Sequence, residues 1–364
     1  MTNRTKNVLL TGRVAAAFVI VGALAQIMPL LACTTPVYRY ATYRWMREPY
    51  GLFYLYDKEI PEGVKKFHEE LDELSQTDPE WTNLEVIEVD VSKDTELRSL
   101  PPNIRKEWKE KNPPTPTYLL ISPMWGWVYQ GDITKEDIPG LVASPKNKEL
   151  IKAMDGKTTG VLVLLTNKDE KATDKAEQEA KKLVDAISSG KLRLGEEAYL
   201  PEPKDGEEVP PPSHTFKLMK VDRFDEQEKW FVKTLLAIEP DLPTLKHPML
   251  FPVYGRGRAL PPYVGRGITY DNLIDVGFWL TGPCSCTVKD QNPGVDLLTQ
   301  HDWEKVSETM ADHFGAEEGN EQDIADLFPQ LIVPQEKKDE SERPEEDAPA
   351  TSTPEEQPKE SSDQ

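Results

Sequence analysis

Hydrophobic residues along positions 50–156 follow two spacings in turn, one typical of strands and one typical of helices. Short apolar and aromatic runs predict strands at 50–57, 83–91, 117–122 and 126–132. Hydrophobic residues three or four positions apart predict helices at 62–75, 94–112 and 147–156. Pro101 and Pro102 interrupt the second helix, because proline is unfavourable in a helix interior. The predicted order of elements is β-α-β-α-β-β-α.

The same order restarts after residue 157. Strands are predicted at 159–165, 215–222, 247–255 and 258–265, and helices at 174–188, 225–238 and 269–282. A Pro- and Glu-rich stretch, 195–213, predicts a solvated insertion in this second half. Two more helices are predicted at 300–315 and around 322–331. The halves share no obvious residue identity, so any internal repeat is one of architecture.

This repeated order resembles two thioredoxin folds in tandem, one at 50–156 and one at 157–330. The stretch "PPTPTYLLIS" places Pro116 directly before the third strand, where thioredoxin-like folds carry a cis-proline. Pro248 occupies the corresponding place in the second half. The resemblance implies an α/β protein with mixed sheets flanked by helices.

Redox-active thioredoxin-like proteins carry C-x-x-C where the first strand passes into the first helix, because a helix N-terminus lowers a thiol pKa. The matching positions here read "DKEIP" (57–61) and "TNKD" (166–169), and neither contains cysteine. The resemblance therefore favours a binding or structural role over redox chemistry at these two turns.

The N-terminus predicts an export signal at 1–32. Arg4, Lys6 and Arg13 precede an uncharged run that ends in "LLAC" at Cys33. This ending resembles the lipobox of bacterial lipoproteins, which implies a covalent lipid on Cys33 and a tether to the membrane. An uncleaved membrane anchor is the alternative, since the run is nearly long enough to span a bilayer. Either way, we expect the chain in the cell envelope, facing the periplasm or exterior.

Two flanking segments complete the predicted organisation. Residues 33–49 contain several Tyr, Arg and Trp and form a leader, either a spacer or a segment packed against the first domain. Residues 334–364 contain Pro, Glu, Ser and Lys without aromatics, which predicts a disordered acidic tail.

Charge excludes one class of partner. The 364 residues carry a formal net charge of -21, whereas binding to a phosphate backbone needs a basic surface. We therefore expect no nucleic-acid partner. An envelope protein or a peptide remains a possible partner in addition to the membrane.

Cys284 and Cys286 form the sequence "PCSC" and are the only cysteines besides Cys33. Export to an oxidising compartment favours a disulfide, although residues i and i+2 of an extended strand lie farther apart than a relaxed disulfide allows. The pair could be a structural disulfide or buried thiols, a redox-active dithiol, or part of a metal clip. No histidine has a spacing that would complete a metal site, so no metal is assigned.

Three arginines lie among glycines in "YGRGRALPPYVGRG", residues 254–267. Arg256, Arg258 and Arg266 could bind a carboxylate or phosphate, since a guanidinium matches both groups. Alternatively, they pair with Asp and Glu of neighbouring helices in a bent hairpin. Neither a P-loop nor a dinucleotide-binding motif is present.

Two hypotheses of function follow. The first is a lipid-anchored scaffold or binding protein of the cell envelope with no catalytic activity and no cofactor. The second is a thiol-disulfide oxidoreductase or metal-handling protein that uses Cys284 and Cys286. The chain, including "GRGRALPPYVGRG" and "PCSC", is similar to exported proteins of planctomycete-type bacteria, a resemblance that implies no activity.

Overall fold

Two mixed β-sheets flanked by helices form the α/β architecture that the alternating hydrophobic pattern predicts. A computed structural model describes residues 35–76, 82–201 and 211–315, and these residues belong to one compact unit. The predicted signal at 1–32, Cys33, the helix around 322–331 and the tail at 334–364 lie outside the described residues. Within the described ranges, no helix combines the length and the apolar character that crossing a membrane requires.

The first sheet has the strand order β2-β1-β3-β4, with β1 parallel to β2 and antiparallel to β3. Its strands are β1 (Tyr50–Tyr56), β2 (Leu84–Asp90), β3 (Thr117–Ile121) and β4 (Trp127–Gly131). Strand β1 is central and strand β3 is buried throughout, as expected for runs that are apolar on both faces.

Four helices belong to this first half: α2 (Glu62–Gln76), α3 (Pro102–Lys111), α4 (Ile138–Ala143) and α5 (Pro145–Ala153). Helix α3 is shorter than predicted and begins at Pro102 instead of residue 94. Proline is favoured in the first turn of a helix, where its missing N–H costs nothing. The two prolines therefore start this helix instead of interrupting it.

The second sheet has the order β10-β8-β7-β5-β6, and β9 also pairs with β7. Strand β5 is parallel to β6 and antiparallel to β7, which repeats the arrangement of the first sheet. The strands are β5 (Gly160–Leu165), β6 (Phe216–Val221), β7 (Met249–Tyr254), β8 (Arg258–Ala259), β9 (Tyr263–Val264) and β10 (Val295–Asp296). Strands β5 and β7 are buried at every position.

The remaining helices are α1 (Val37–Arg44), α6 (Glu170–Ser188), α7 (Lys229–Leu236), α8 (Tyr270–Thr281), α9 (Cys286–Gln291) and α10 (Trp303–Phe314). Asp169, Thr269 and Asp302 cap α6, α8 and α10 by accepting a backbone N–H with their side chains. Part of the predicted insertion, Gly195–Tyr199, is a 3₁₀ turn, and residues 202–210 are outside the described ranges.

Helix α1 of the leader packs against the second sheet, and the end of the leader, at Arg47 and Glu48, bonds to Asn83 beside the first sheet. The expectation that the leader packs against the first domain is therefore wrong for α1. Val37, Tyr38 and Ala41 of α1 share a buried cluster with Leu162 and Leu164 of β5. Gly255, at φ +60°, allows this close approach, because a Cβ there would lie 2.8 Å from the Ala41 Cβ. The aromatic residues of the leader are therefore core residues.

The C-terminal end of α10 is tied to the same leader helix. Arg39 donates hydrogen bonds of 3.2 Å to the carbonyls of Phe314 and Gly315, and a cation there complements the helix dipole. Trp303, Val306 and Met310 bury one face of α10 against the second half. The two ends of the described chain thus pack together.

A buried polar network joins the leader to the C-terminal segment at the junction of the two sheets. Arg258 of β8 and Asp296 of β10 form an ion pair of 2.8 Å with side chains only 3% and 4% exposed. The backbone N–H of Glu48 donates to the carboxylate Oδ2 of Asp296 at 2.8 Å. Asp296 therefore binds both Arg258 of strand β8 and Glu48, which lies just before β1.

Arg47 extends this network toward the first sheet. Its guanidinium donates to Thr299 Oγ1 at 2.6 Å, to the Leu297 carbonyl at 3.1 Å, and to Asn83 Oδ1. Burial lowers the pKa of Arg47 to about 10, because desolvation disfavours the charged form. Asn83 precedes β2, so the arginine links the leader, the first sheet and the segment after β10.

We expect Asp296→Asn to lower the free energy of unfolding by about 3 kcal/mol, because the substitution removes the buried counter-ion of Arg258 and leaves only the more distant and partly exposed Glu48 carboxylate at 3.5 Å. Denaturant unfolding followed by circular dichroism measures this. Asp155→Asn is the matched control: its partner Lys217 lies 3.0 Å away but both side chains are over 40% exposed. The control should lose less than about 1 kcal/mol. Equal losses in the two variants would contradict the structural importance of the buried pair.

Candidate functional site

The segment "PCSC" lies between α8 and α9 and contacts the leader. Cys284 is buried, and its backbone N–H donates to the Thr35 carbonyl at 2.9 Å. The neighbouring Pro283 forms an isolated β-bridge with Pro36. Cys284 therefore lies in the core between the leader and the second half, where a soluble substrate does not reach it.

Cys286 is the first residue of α9, which the Ser285 side chain caps by accepting the Val288 N–H. The segment is thus a turn that leads into a short helix. The distance between Cys284 and Cys286 expected from an extended strand therefore does not apply. Among the described residues, no three His, Cys, Asp or Glu side chains converge as a metal site requires.

The two strand-to-helix turns at 57–61 and 166–169 hold charged residues. The first turn leads from β1 into α2, and the second leads from β5 into α6. In the second turn, the Asp169 carboxylate accepts the Ala172 N–H at 3.0 Å and caps the helix. A capping carboxylate occupies the position at which a thiol would gain reactivity from the helix N-terminus.

The prolines before β3 and β7 differ in their peptide bonds. The bond between Thr115 and Pro116 is cis. The bond before Pro248 is not, so the expectation of a cis-proline there is wrong. Pro248 already belongs to the β7–β9 pairing, because its carbonyl accepts the Gly265 N–H at 2.9 Å, and an extended trans residue suits that ladder.

The three candidate arginines do not form one site. Arg256 is 4% exposed, donates through Nε to the Thr42 carbonyl at 2.7 Å, and pairs with Glu304. Arg258 pairs with Asp296 and donates to the Asn292 carbonyl at 2.7 Å. Arg266 is exposed in the turn Gly265–Gly267 after β9. Arg256 and Arg258 hold the fold together, and we assign no anion site to them.

A polar network that sequence analysis missed lies on the first sheet, beneath α2. His68 is 4% exposed. Its Nδ1 lies 2.7 Å from the Glu88 Oε1 of β2, and its Nε2 lies 3.0 Å from the Tyr118 hydroxyl of β3. With Nδ1 protonated, the imidazole donates to the carboxylate and accepts from the phenol. Both ring nitrogens are then satisfied.

Burial raises the pKa of Tyr118 well above its ordinary range. The phenol therefore stays protonated and acts as a hydrogen-bond donor to His68. Glu88 is the most accessible member, with its side chain 41% exposed. His68 itself is almost completely buried beneath α2, so the arrangement acts as a structural polar network.

One signal in the sequence could have revealed this network. His68 has the helical spacing of the apolar residues Val64 and Leu71 of α2, which places it on the buried face. Glu88 and Tyr118 lie 20 and 50 positions away, so only the register of the sheet brings them to the histidine. Motif spacing cannot supply that register.

Comparison of the sequence with protein-family models and with curated proteins finds no match. The functional interpretation therefore rests on the geometry of the chain itself.

We expect His68→Leu to lower the free energy of unfolding by about 2 kcal/mol, because it leaves the buried Tyr118 hydroxyl without its acceptor. Adding Tyr118→Phe should restore part of the loss, and the double-mutant cycle measures the coupling. His247→Leu, at an exposed position, should change the value by less than about 0.5 kcal/mol. Additive effects of His68→Leu and Tyr118→Phe would argue against the hydrogen bond.

Proposed function

We propose that the protein is a lipid-anchored envelope protein that serves as a scaffold or binding module, built on two degenerate thioredoxin-like domains. The two sheets support the domain interpretation, because each has the strand order second-first-third-fourth with the first pair parallel. A helix also follows the first strand in each half, α2 after β1 and α6 after β5.

The observation that carries the non-catalytic role is the composition of the two strand-to-helix turns. Residues 57–61 and 166–169 contain no thiol, and Asp169 is committed to helix capping. Thiol-disulfide exchange at a thioredoxin-like site requires a nucleophilic thiolate at this turn. Without a thiol at these turns, a thioredoxin-like fold functions through binding at its surface and its grooves.

Burial of Cys284 weakens the rival hypothesis of a redox-active pair. Exchange proceeds by in-line attack on an accessible sulfur, whereas Cys284 is 1% exposed and packs against the leader. The membrane tether rests on the positively charged start and on "LLAC" at 30–33. The lipid on Cys33 is the only non-protein group that we include in this proposal.

We expect the full-length protein to leave the rate of insulin reduction by dithiothreitol unchanged, because neither turn provides a reactive thiol. The measurement is turbidity from precipitating insulin chains, with thioredoxin as the positive control. The double variant Cys284→Ser/Cys286→Ser should behave like the wild type. An acceleration that the double variant abolishes would refute the binding role and establish the oxidoreductase.

We expect mass spectrometry of the protein from its native membrane to find a diacylglyceryl-modified Cys33 as the first residue. Cys33→Ser should carry no lipid, because the lipid is attached through the cysteine sulfur. The variant should also keep residues of the signal. Cys286→Ser is the matched control and should keep the modification. An N-terminal peptide that still begins at Met1 in the wild type would contradict the tether.

A further inference from the structure

A large open cleft separates the last two helices of the first half from the C-terminal helix. It has a volume of about 820 Å³ and is bounded by α4 and α5 on one side and α10 on the other. Its apolar lining comprises Leu74, Ile138, Val142, Ile151, Met154 and Val306. Met154 and Val306 are buried, while Leu74 and Ile151 remain partly exposed. The cleft therefore has an apolar floor, to which Gln300, His301 and Thr309 add polar groups.

Three lysines edge this floor. Lys148 and Lys152 lie one helical turn apart on α5, and Lys305 lies on α10 across the cleft. All three are exposed, and none forms an ion pair with another residue of the described chain. The cleft also contains one carboxylate, Asp155, and that group pairs with Lys217 at 3.0 Å.

This concentration of positive charge runs against the charge of the whole protein. The chain has 64 acidic and 43 basic residues, and seven lysines of the described regions pair with a carboxylate three or four positions away. Three lysines that converge on an apolar cleft without such partners create a local site for an anion. An anion bound by these lysines would also contact the apolar residues that line the cleft.

The lining discriminates among anionic ligands. No Arg is among the described residues that line the cleft, and His301 supplies the one aromatic ring among them. Bidentate pairing with a nucleotide phosphate is therefore not available. A lysine ammonium is a point charge that accepts a carboxylate or phosphate head in several orientations. The apolar floor favours a hydrocarbon chain, which gains free energy in proportion to the area removed from water.

We propose that this cleft binds a single-chain anionic amphiphile, with the hydrocarbon chain along Ile138, Val142 and Ile151 and the head at Lys148, Lys152 and Lys305. The volume is within the range of small-molecule sites. The inference deepens the proposed binding role by naming a ligand class, and it is independent of Cys33 and of the cysteine pair.

Photolabelling tests this site in the intact protein. The full-length chain is reconstituted in phosphatidylcholine vesicles, incubated with a palmitate that carries a diazirine in its chain, irradiated and digested for mass spectrometry. We expect labelled peptides from 138–155 and 300–309, and we expect excess dodecanoate to abolish the labelling. Lys148→Glu/Lys152→Glu should weaken competition by dodecanoate about tenfold, because the head then meets two carboxylates.

Lys171→Glu/Lys175→Glu is the matched control. These lysines have the same spacing on α6, are exposed, and change the net charge equally. The control should label like the wild type, and circular dichroism melting should show that both variants are folded. Equal labelling in the two variants, or labelling confined to other peptides, would overturn the proposal.

Three competitors identify the head group. Competition by dodecanoate and by dodecyl phosphate supports the anionic class, and a preference for one of them identifies a free fatty acid or a phosphate-headed lipid as the ligand. Dodecanol that competes as well as dodecanoate would show that charge is irrelevant and would overturn the proposal. The insulin assay tests only whether the protein is an oxidoreductase. Activity in that assay would contradict the proposed function, and the photolabelling would still show whether the cleft binds an anionic amphiphile.

Discussion

A charge buried in a protein interior must be compensated, and that constraint governs the junction of this molecule. Arg258 and Asp296 are almost completely removed from water, where a lone ion would cost several kcal/mol. Their compensation requires β8 and β10 to lie side by side and Glu48 to present its N–H to the carboxylate. Because Glu48 leads into β1, the position of the first sheet depends on an ion pair within the second.

The same requirement explains the ends of the described chain. Arg47, Arg39 and Arg256 each satisfy carbonyl or carboxylate groups contributed by residues more than 200 positions away. Such contacts carry no local sequence signature, yet they join the leader helix to the C-terminal helix. Arg256 and Arg258, two of the three arginines considered as a ligand site, are therefore buried structural residues that join distant segments.

The regular elements were predictable because each has a hydrophobic period of its own. The strands of the first sheet, strands β5, β6 and β7, and helices α2, α6 and α8 fall close to their predicted ranges, whereas the predicted strand 258–265 is split into β8 and β9 and β10 was not predicted. The start of α3 was misplaced because Pro102 acts as a helix initiator there. The surface that covers helix α1 of the leader was not predictable, because an apolar stripe predicts burial without identifying the element that buries it. The His68 network was missed since strand register, not spacing, brings Glu88 and Tyr118 together.

Helix α1 also limits the reach of the proposed tether. Thr35 and Pro36 pair with the segment at 283–284, so the residue two positions after Cys33 already belongs to the folded body. A fully extended chain spans at most about 3.6 Å per residue, which leaves about 7 Å between the lipidated residue and the body. A tether this short would keep the surface around Pro36 and Pro283 close to the headgroups. Orientation on the bilayer would thus be a property of the fold and not of a flexible stalk.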